Sequence, residues 1–217
     1  MRTLKGLYAL TPDLDDTMRL MQMAEQCLEG GAHLLQYRNK QADENLQRQQ
    51  AESLLKLCRK FSAPLIINDN PRLAAAIDAD GVHLGREDGA IGSARKLLGA
   101  EKIIGVSCYG NLQSALDAQQ QGADYVAFGS FFASPTKPEA TPASLALLSN
   151  AKQALRIPLV AIGGITLANA PALIAAGADA VAVISAVFGA HDIAAATRDF
   201  AGLFTQNIST LKQKAHS

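Results

Sequence analysis

Short β-rich runs alternate eight times with stretches of helical period, and no other property of this 217-residue chain limits its fold so sharply. The runs lie at 7–10, 34–37, 65–67, 82–84, 103–106, 125–128, 159–162 and 181–184. Apolar residues recur with helical spacing at 16–29, 45–61, 112–121 and 167–175. Eight β/α units are expected to close into a single (β/α)8 TIM barrel over 1–206, with 207–217 as a polar tail. An open doubly wound sheet would also alternate. It carries a glycine fingerprint after its first strand, however, and Leu10-Thr11-Pro12-Asp13 has none.

Four near-repeats support the count. Gly31-Ala32-His33, Ala79-Asp80-Gly81, Gly122-Ala123-Asp124 and Gly177-Ala178-Asp179 stand just before the second, fourth, sixth and eighth runs. Their spacing of roughly 50 residues equals two β/α units. In three of the four a glycine directly follows a helical stretch, where a left-handed residue would end the helix and turn the chain into the next strand.

With 48% apolar residues, a chain of this length can bury a sizeable core. Its 20 Lys and Arg offset 20 Asp and Glu, with no basic arm or acidic run. Nucleic acid and anionic membrane are thus not expected partners, and any anion site must be local. The opening MRTLKGLYALTPD is too short an apolar stretch for a secretory signal, and no run approaches the roughly 18 apolar residues of a membrane span. The expected location is the cytoplasm. Cys27, Cys58 and Cys108 include no C-x-x-C pair and read as small buried hydrophobes. His33 and His83 lack metal-ligand spacing and read as packed, satisfied histidines. Oligomeric state is left open, a homo-oligomer included.

Polar residues follow six of the apolar runs, and in a parallel barrel all strand ends of that sense share one face. Gln36-x-Arg38-x-Lys40 places three side chains on one side of an extended chain, an amide beside two cations of different geometry. Arginine can hold phosphate oxygens bidentately, while lysine acts as a movable point charge. The same triplet also reads as a solvated strand end. Asn68-Asp69 ends the third run, and Asp88 lies in the loop after the fourth. Two carboxylates from neighbouring units suit Mg²⁺, which takes one or two protein carboxylates and completes its octahedron with phosphate and water. Asp69-Asn70-Pro71 reads equally as a helix cap, and Asp88-Gly89 as a turn. Ser134-Pro135-Thr136-Lys137 adds a cation within 131–143, a stretch broken by Pro135, Pro138 and Pro142 and expected to act as a mobile lid. Gly163-Gly164 and Ile184-Ser185 end the last two runs, where barrels of this kind often bind phosphate through backbone amides.

Taken in order, these residues resemble the thiamine-phosphate synthase (thiamine-phosphate pyrophosphorylase) family from Gly6 to about Phe204. The resemblance includes Gln36 to Lys40, Asn68-Asp69, Gly81 to Gly85 with Glu87-Asp88, Gly105-Val106-Ser107, Ser134 to Lys137, Ile162 to Ile165 and Ile184-Ser185-Ala186. It implies a transferase that joins hydroxymethylpyrimidine pyrophosphate to a thiazole phosphate, carboxylated or not, giving thiamine phosphate and pyrophosphate. Gln36, Tyr37, Arg38, Asn39, Lys40, Asn68, Ser107 and Lys137 would hold the pyrimidine pyrophosphate, with Arg38, Lys40, Ser107 and Lys137 catalytic. Asp69 and Asp88 would bind one Mg²⁺ per site, and Ser134, Pro135, Thr136, Gly164, Ile184 and Ser185 would receive the thiazole phosphate. The family often writes the loop as Pro-Thr-x-Thr-Lys; Ala133-Ser134-Pro135-Thr136-Lys137 departs from it while keeping a hydroxyl. Two rivals share the barrel: a thiazole tautomerase, which needs no pyrophosphate site, and a non-catalytic thiamine-phosphate binder.

Overall fold

The computed structural model describes residues 4–85, 89–133 and 143–214, with 206–214 described by backbone path alone. Eight parallel strands, β1 (Gly6–Leu10), β2 (Leu34–Tyr37), β3 (Leu65–Asn68), β4 (Gly81–Leu84), β5 (Ile103–Tyr109), β6 (Tyr125–Phe128), β7 (Leu159–Ile162) and β8 (Ala180–Val183), pair in sequence order. The last closes on the first, with Tyr8 in register with Leu34 on one side and Ala182 on the other. Helices α1 (Thr17–Glu29), α2 (Glu44–Lys60), α3 (Pro71–Ala76), α4 (Ile91–Leu98), α5 (Leu112–Gln120), α6 (Leu145–Ala154), α7 (Ala170–Ala175), α8 (Ser185–Phe188) and α9 (Ile193–Lys214) follow the strands in turn. The expected (β/α)8 barrel is therefore the fold. Residues 207–214 continue α9.

Strand alternation divides the apolar residues into two cores. Leu34, Ile66, Tyr125 and Val160 fill the barrel interior. Their neighbours Leu35, Leu65, Ile67 and Leu159 face outward and pack with helix residues such as Leu54, Cys58 and Leu148. Burying one such Leu or Ile stabilises by about 1.5–3 kcal/mol, more than an exposed ion pair contributes. The three cysteines belong to this outer layer as free thiols. Burial pushes Cys27 up to about 11 and Cys58 and Cys108 up to about 12, so all three stay protonated and unreactive near neutral pH. His33 is exposed, contrary to the packed position expected for it: the alternation that turns Leu34 inward leaves His33 at the barrel's lower rim.

The near-repeats prove to be four copies of one turn. Residues 31, 78, 122 and 177 all have positive φ. Each donates its N–H to a carbonyl three residues back, and the following alanine donates to one five residues back, which is the Schellman pattern. Asp78 takes the left-handed place where the second copy has no glycine. Two positions on, Asp80, Asp124 and Asp179 accept from the backbone N–H of Leu65, Ile104 and Leu159 at 2.9, 2.8 and 2.9 Å. Each carboxylate thus ties the foot of its own strand to the strand before it. The opposite ends of all eight strands are left facing one cleft.

Candidate active site

The chain leaving β2 keeps the strand's alternation. Gln36, Arg38 and Lys40 line the cleft, as their spacing requires. Tyr37 and Asn39 instead border a smaller adjoining pocket, which they share with Arg38, Lys40, Asn68 and Asp69. Tyr37 donates from its hydroxyl to Gln50 Oε1 at 2.8 Å, and Asn39 Nδ2 donates to the Leu14 carbonyl at 3.0 Å. Asn39 Oδ1 accepts from the N–H groups of Gln41 and Ala42. These two side chains fix the loop that carries the cations.

Two residues after β1, unnoticed in the sequence, complete that support. Thr11 Oγ1 exchanges hydrogen bonds with the backbone of Arg38, both at 2.9 Å. Asp13 accepts from Arg38 Nη1 with both oxygens, at 3.0 and 2.8 Å, and from the Lys40 N–H at 2.8 Å. Asp13 therefore aims the guanidinium while using only one of its nitrogens. The remaining donors can serve an anion.

At the end of β3, Asn68 and Asp69 both line the cleft. The helix-cap reading of this segment falls to Asn70, whose side chain accepts from the Leu73 N–H. Asp69 is thereby spared for the cleft. It holds φ at 60°, donates its N–H to the His83 carbonyl at 2.8 Å, and has its carboxylate 3.4 Å from Lys40 Nζ. A non-glycine residue in the left-handed region carries a conformational cost, and residues like it concentrate at functional sites.

Beneath the cations runs a buried chain of polar side chains. Gln36 Nε2 donates to Tyr8 Oη at 2.6 Å, and Tyr8 Oη lies 2.8 Å from Tyr125 Oη. His83 Nδ1 lies 2.8 Å from Tyr125 Oη, and His83 Nε2 lies 2.8 Å from Ser107 Oγ. His83 is thus buried and satisfied, as expected. Burial pushes both phenols well above their ordinary range, so they remain neutral hydroxyls.

The opposite wall comes from β7 and β8. A side chain at Gly163 would collide with Ser130, and one at Gly164, where φ is 61°, would meet the carbonyl oxygens of Phe132 and Ala133. Both glycines are needed for the β6 loop to lie against the β7 turn. Ile184 and Ser185 line the same wall, with Ser185 opening α8. The first N–H groups of a helix have no intrahelical acceptor and can serve an oxyanion.

The structure therefore gathers Gln36, Arg38, Lys40, Asn68, Asp69, Ser107, Gly164, Ile184 and Ser185 into one cleft. Asp88, Ser134, Pro135, Thr136 and Lys137 lie outside the described residues, as does the 131–143 lid apart from Phe131 to Ala133 and Ala143. Tyr8, Tyr125, Thr11 and Asp13 were missed. The tyrosines sit in apolar runs and read as core, whereas the alternation that unites Gln36, Arg38 and Lys40 sets Tyr37 and Asn39 on the other side of the chain, toward the adjoining pocket.

Residues 7–187 match the model of the thiamine monophosphate synthase family. A thiamine-phosphate synthase of Nitrosospira multiformis is 57% identical over 203 residues, covering 94% of this chain and 87% of the relative. One of Methylobacillus flagellatus is 57% identical over 201 residues, 93% and 96% of the two chains. The solved thiamine phosphate pyrophosphorylase of Pyrococcus furiosus superposes with a TM-score of 0.85 at 35% identity, over 94% of this chain and 98% of that one. By sequence match and by barrel, the chain belongs to the thiamine monophosphate synthase family.

Proposed function

We propose that this cleft joins hydroxymethylpyrimidine pyrophosphate to a thiazole phosphate, releasing pyrophosphate and forming thiamine phosphate. Both bacterial relatives are named for this synthase activity. The observation that carries the reading is the sharing of one cleft by Arg38, Lys40, Asn68, Asp69 and Ser107 on one wall and Gly164, Ile184 and Ser185 on the other. The first group suits a pyrophosphate, and the second a monophosphate.

In the reaction, the bond between the exocyclic CH₂ and the pyrophosphate oxygen breaks, and its electron pair leaves with the pyrophosphate. The ring amino group shares the positive charge left on carbon. The thiazole nitrogen then donates its lone pair to that carbon, forming the C–N bond. Arg38, Lys40 and Lys137 neutralise charge on the leaving group, Ser107 and Asn68 donate hydrogen bonds to it, and Gln36 orients the pyrimidine. Ser134, Pro135 and Thr136, with Gly164, Ile184 and Ser185, hold the thiazole phosphate in line.

The donors at the rim fit one Mg²⁺. Asp69 offers a hard carboxylate, 30% exposed, facing the cleft. Among the described residues no group of three or more His, Cys, Asp or Glu could hold a metal by itself. An ion held by Asp69 and Asp88 would thus take its remaining ligands from phosphate and water, as Mg²⁺ does. When bound, it would supply further charge neutralisation on the pyrophosphate oxygens. Among the described residues no helix is long and apolar enough to cross a membrane. We place the reaction in the cytoplasm, where three free thiols are at home.

The reading is tested by mixing the protein with both substrates and Mg²⁺ and measuring released pyrophosphate against coupled product. Equal amounts of the two are expected. An isomerised thiazole phosphate without pyrophosphate release would refute it in favour of a tautomerase, and ligand binding without turnover in favour of a carrier.

A further inference from the structure

The buried chain of hydrogen bonds joins two residues that both face the cleft, Gln36 and Ser107, and its direction is set by the Gln36 amide. We propose that Tyr8, Tyr125 and His83 are positioning residues that form a one-way relay: a pyrimidine offering an amino group to Gln36 leaves Ser107 with its proton free for the pyrophosphate. This rests on the reading of the cleft as the pyrimidine pyrophosphate site.

Each link follows from a donor count. Gln36 Nε2 donates to Tyr8 at 2.6 Å, so the Tyr8 hydrogen goes to Tyr125 at 2.8 Å. Tyr125 has then received one hydrogen and passes its own to His83 Nδ1, also at 2.8 Å. A neutral imidazole that accepts at Nδ1 carries its proton on Nε2. That proton points to Ser107 Oγ at 2.8 Å. Ser107 therefore accepts within the relay and keeps its own hydrogen for a ligand. In the same state Gln36 directs Oε1, an acceptor, away from Tyr8.

Turning the Gln36 amide by half a turn reverses every link. Tyr8 then donates to Oε1, Tyr125 to Tyr8, His83 Nδ1–H to Tyr125, and Ser107 gives its proton to Nε2. Only lone pairs would face the anion. Mixed arrangements either leave a hydroxyl hydrogen without an acceptor or set the two phenol oxygens lone pair to lone pair at 2.8 Å, between phenols that are 2% and 0% exposed, and both are strongly disfavoured.

The rings are held so that these are the available choices. Tyr125 stacks on His83 with centroids 5.5 Å apart and meets Tyr8 edge-on at 5.9 Å. Gly105 has no side chain, and a Cβ there would overlap the Tyr125 ring. The relay thus couples the pyrimidine's ring substituent to the polarity of the hydroxyl beside its leaving group. An oxo analogue, with a carbonyl in place of the amino group, would demand the reversed state and lose the Ser107 donor.

The test compares dissociation constants of the amino and oxo pyrimidine pyrophosphates for the full chain with Mg²⁺. Losing one hydrogen bond to a charged group predicts roughly a ten- to hundredfold preference for the amino compound in the wild type. Tyr125→Phe cuts the relay, so Gln36 can turn without reversing Ser107, and the preference should collapse to a few-fold. Tyr8→Phe cuts a second link and should do the same, which keeps the test alive if one variant fails to fold. In ¹⁵N-histidine wild type, His83 should carry its proton on Nε2 with the amino compound and on Nδ1 with the oxo analogue. One tautomer with both ligands, or an undiminished preference in a folded variant, overturns the relay. A wild type that binds neither pyrimidine overturns the site reading itself, and the relay with it.

Discussion

Replacing Gly164 by alanine would put a methyl group 2.5 Å from the Ala133 carbonyl oxygen and 2.7 Å from that of Phe132. Both neighbours are backbone atoms and cannot swing aside. To regain an ordinary C···O separation of about 3.3 Å, the β6 loop and the β7 turn must part by roughly 0.8 Å. The left-handed φ of 61° adds strain for any residue with a Cβ. Conformational strain of about 1 kcal/mol and overpacking of about 1–3 kcal/mol give a loss of about 2–4 kcal/mol. In a domain of this size that lowers Tm by roughly 4–16 °C. The functional effect should fall on one substrate. A misplacement near 1 Å can cost about a hundredfold, so kcat/KM for the thiazole phosphate should fall roughly ten- to hundredfold. The KM for the pyrimidine pyrophosphate, bound on the opposite wall, should change by less than about threefold if the two walls act independently. Steady-state kinetics with each substrate varied in turn, together with calorimetry, measures both effects. A folded variant with lowered Tm and unchanged thiazole kinetics would remove Gly164 from the phosphate site. An unchanged Tm would refute the packing argument.

Lys137→Ala should lower turnover by about a hundredfold or more, as loss of one preorganised donor does; wild-type turnover would dismiss its role. Asp69→Asn should raise the Mg²⁺ concentration for half-maximal rate on the order of tenfold, since a neutral amide is a weaker ligand for a hard ion. An unshifted metal titration would argue against Asp69 as a ligand. Tyr37→Phe removes the 2.8 Å bond to Gln50. It should cost about 1 kcal/mol of stability while leaving both KM values within about twofold. A large KM change there would show that Tyr37 itself contacts substrate.

The barrel was legible because its signals are local. Apolar runs end at punctuating residues, and the turns before the even strands repeat the same pattern around residues 31, 79, 122 and 177. The triplet Gln36, Arg38 and Lys40 was legible for the same reason, since alternation within one strand needs no partner. Tyr8 and Tyr125 were not, because their bond links positions 117 residues apart and each tyrosine sits in a run that reads as core. Asp13 was hidden likewise: what gives it meaning is Arg38, 25 residues away, brought beside it only when β1 and β2 pair. Composition marks a strand, but which polar atoms meet inside the closed sheet depends on register.

The central claim is that strand ends far apart in sequence form one cleft that strips a pyrophosphate from carbon while presenting a second phosphate from across the barrel. A crystal structure with Mg²⁺, pyrophosphate and thiazole phosphate bound together tests it most directly. Pyrophosphate is expected against Arg38, Lys40, Asn68 and Ser107, the metal on Asp69, and the thiazole phosphate at Gly164 and Ser185. Density for either anion outside this cleft, or for both on the same wall, would contradict the account.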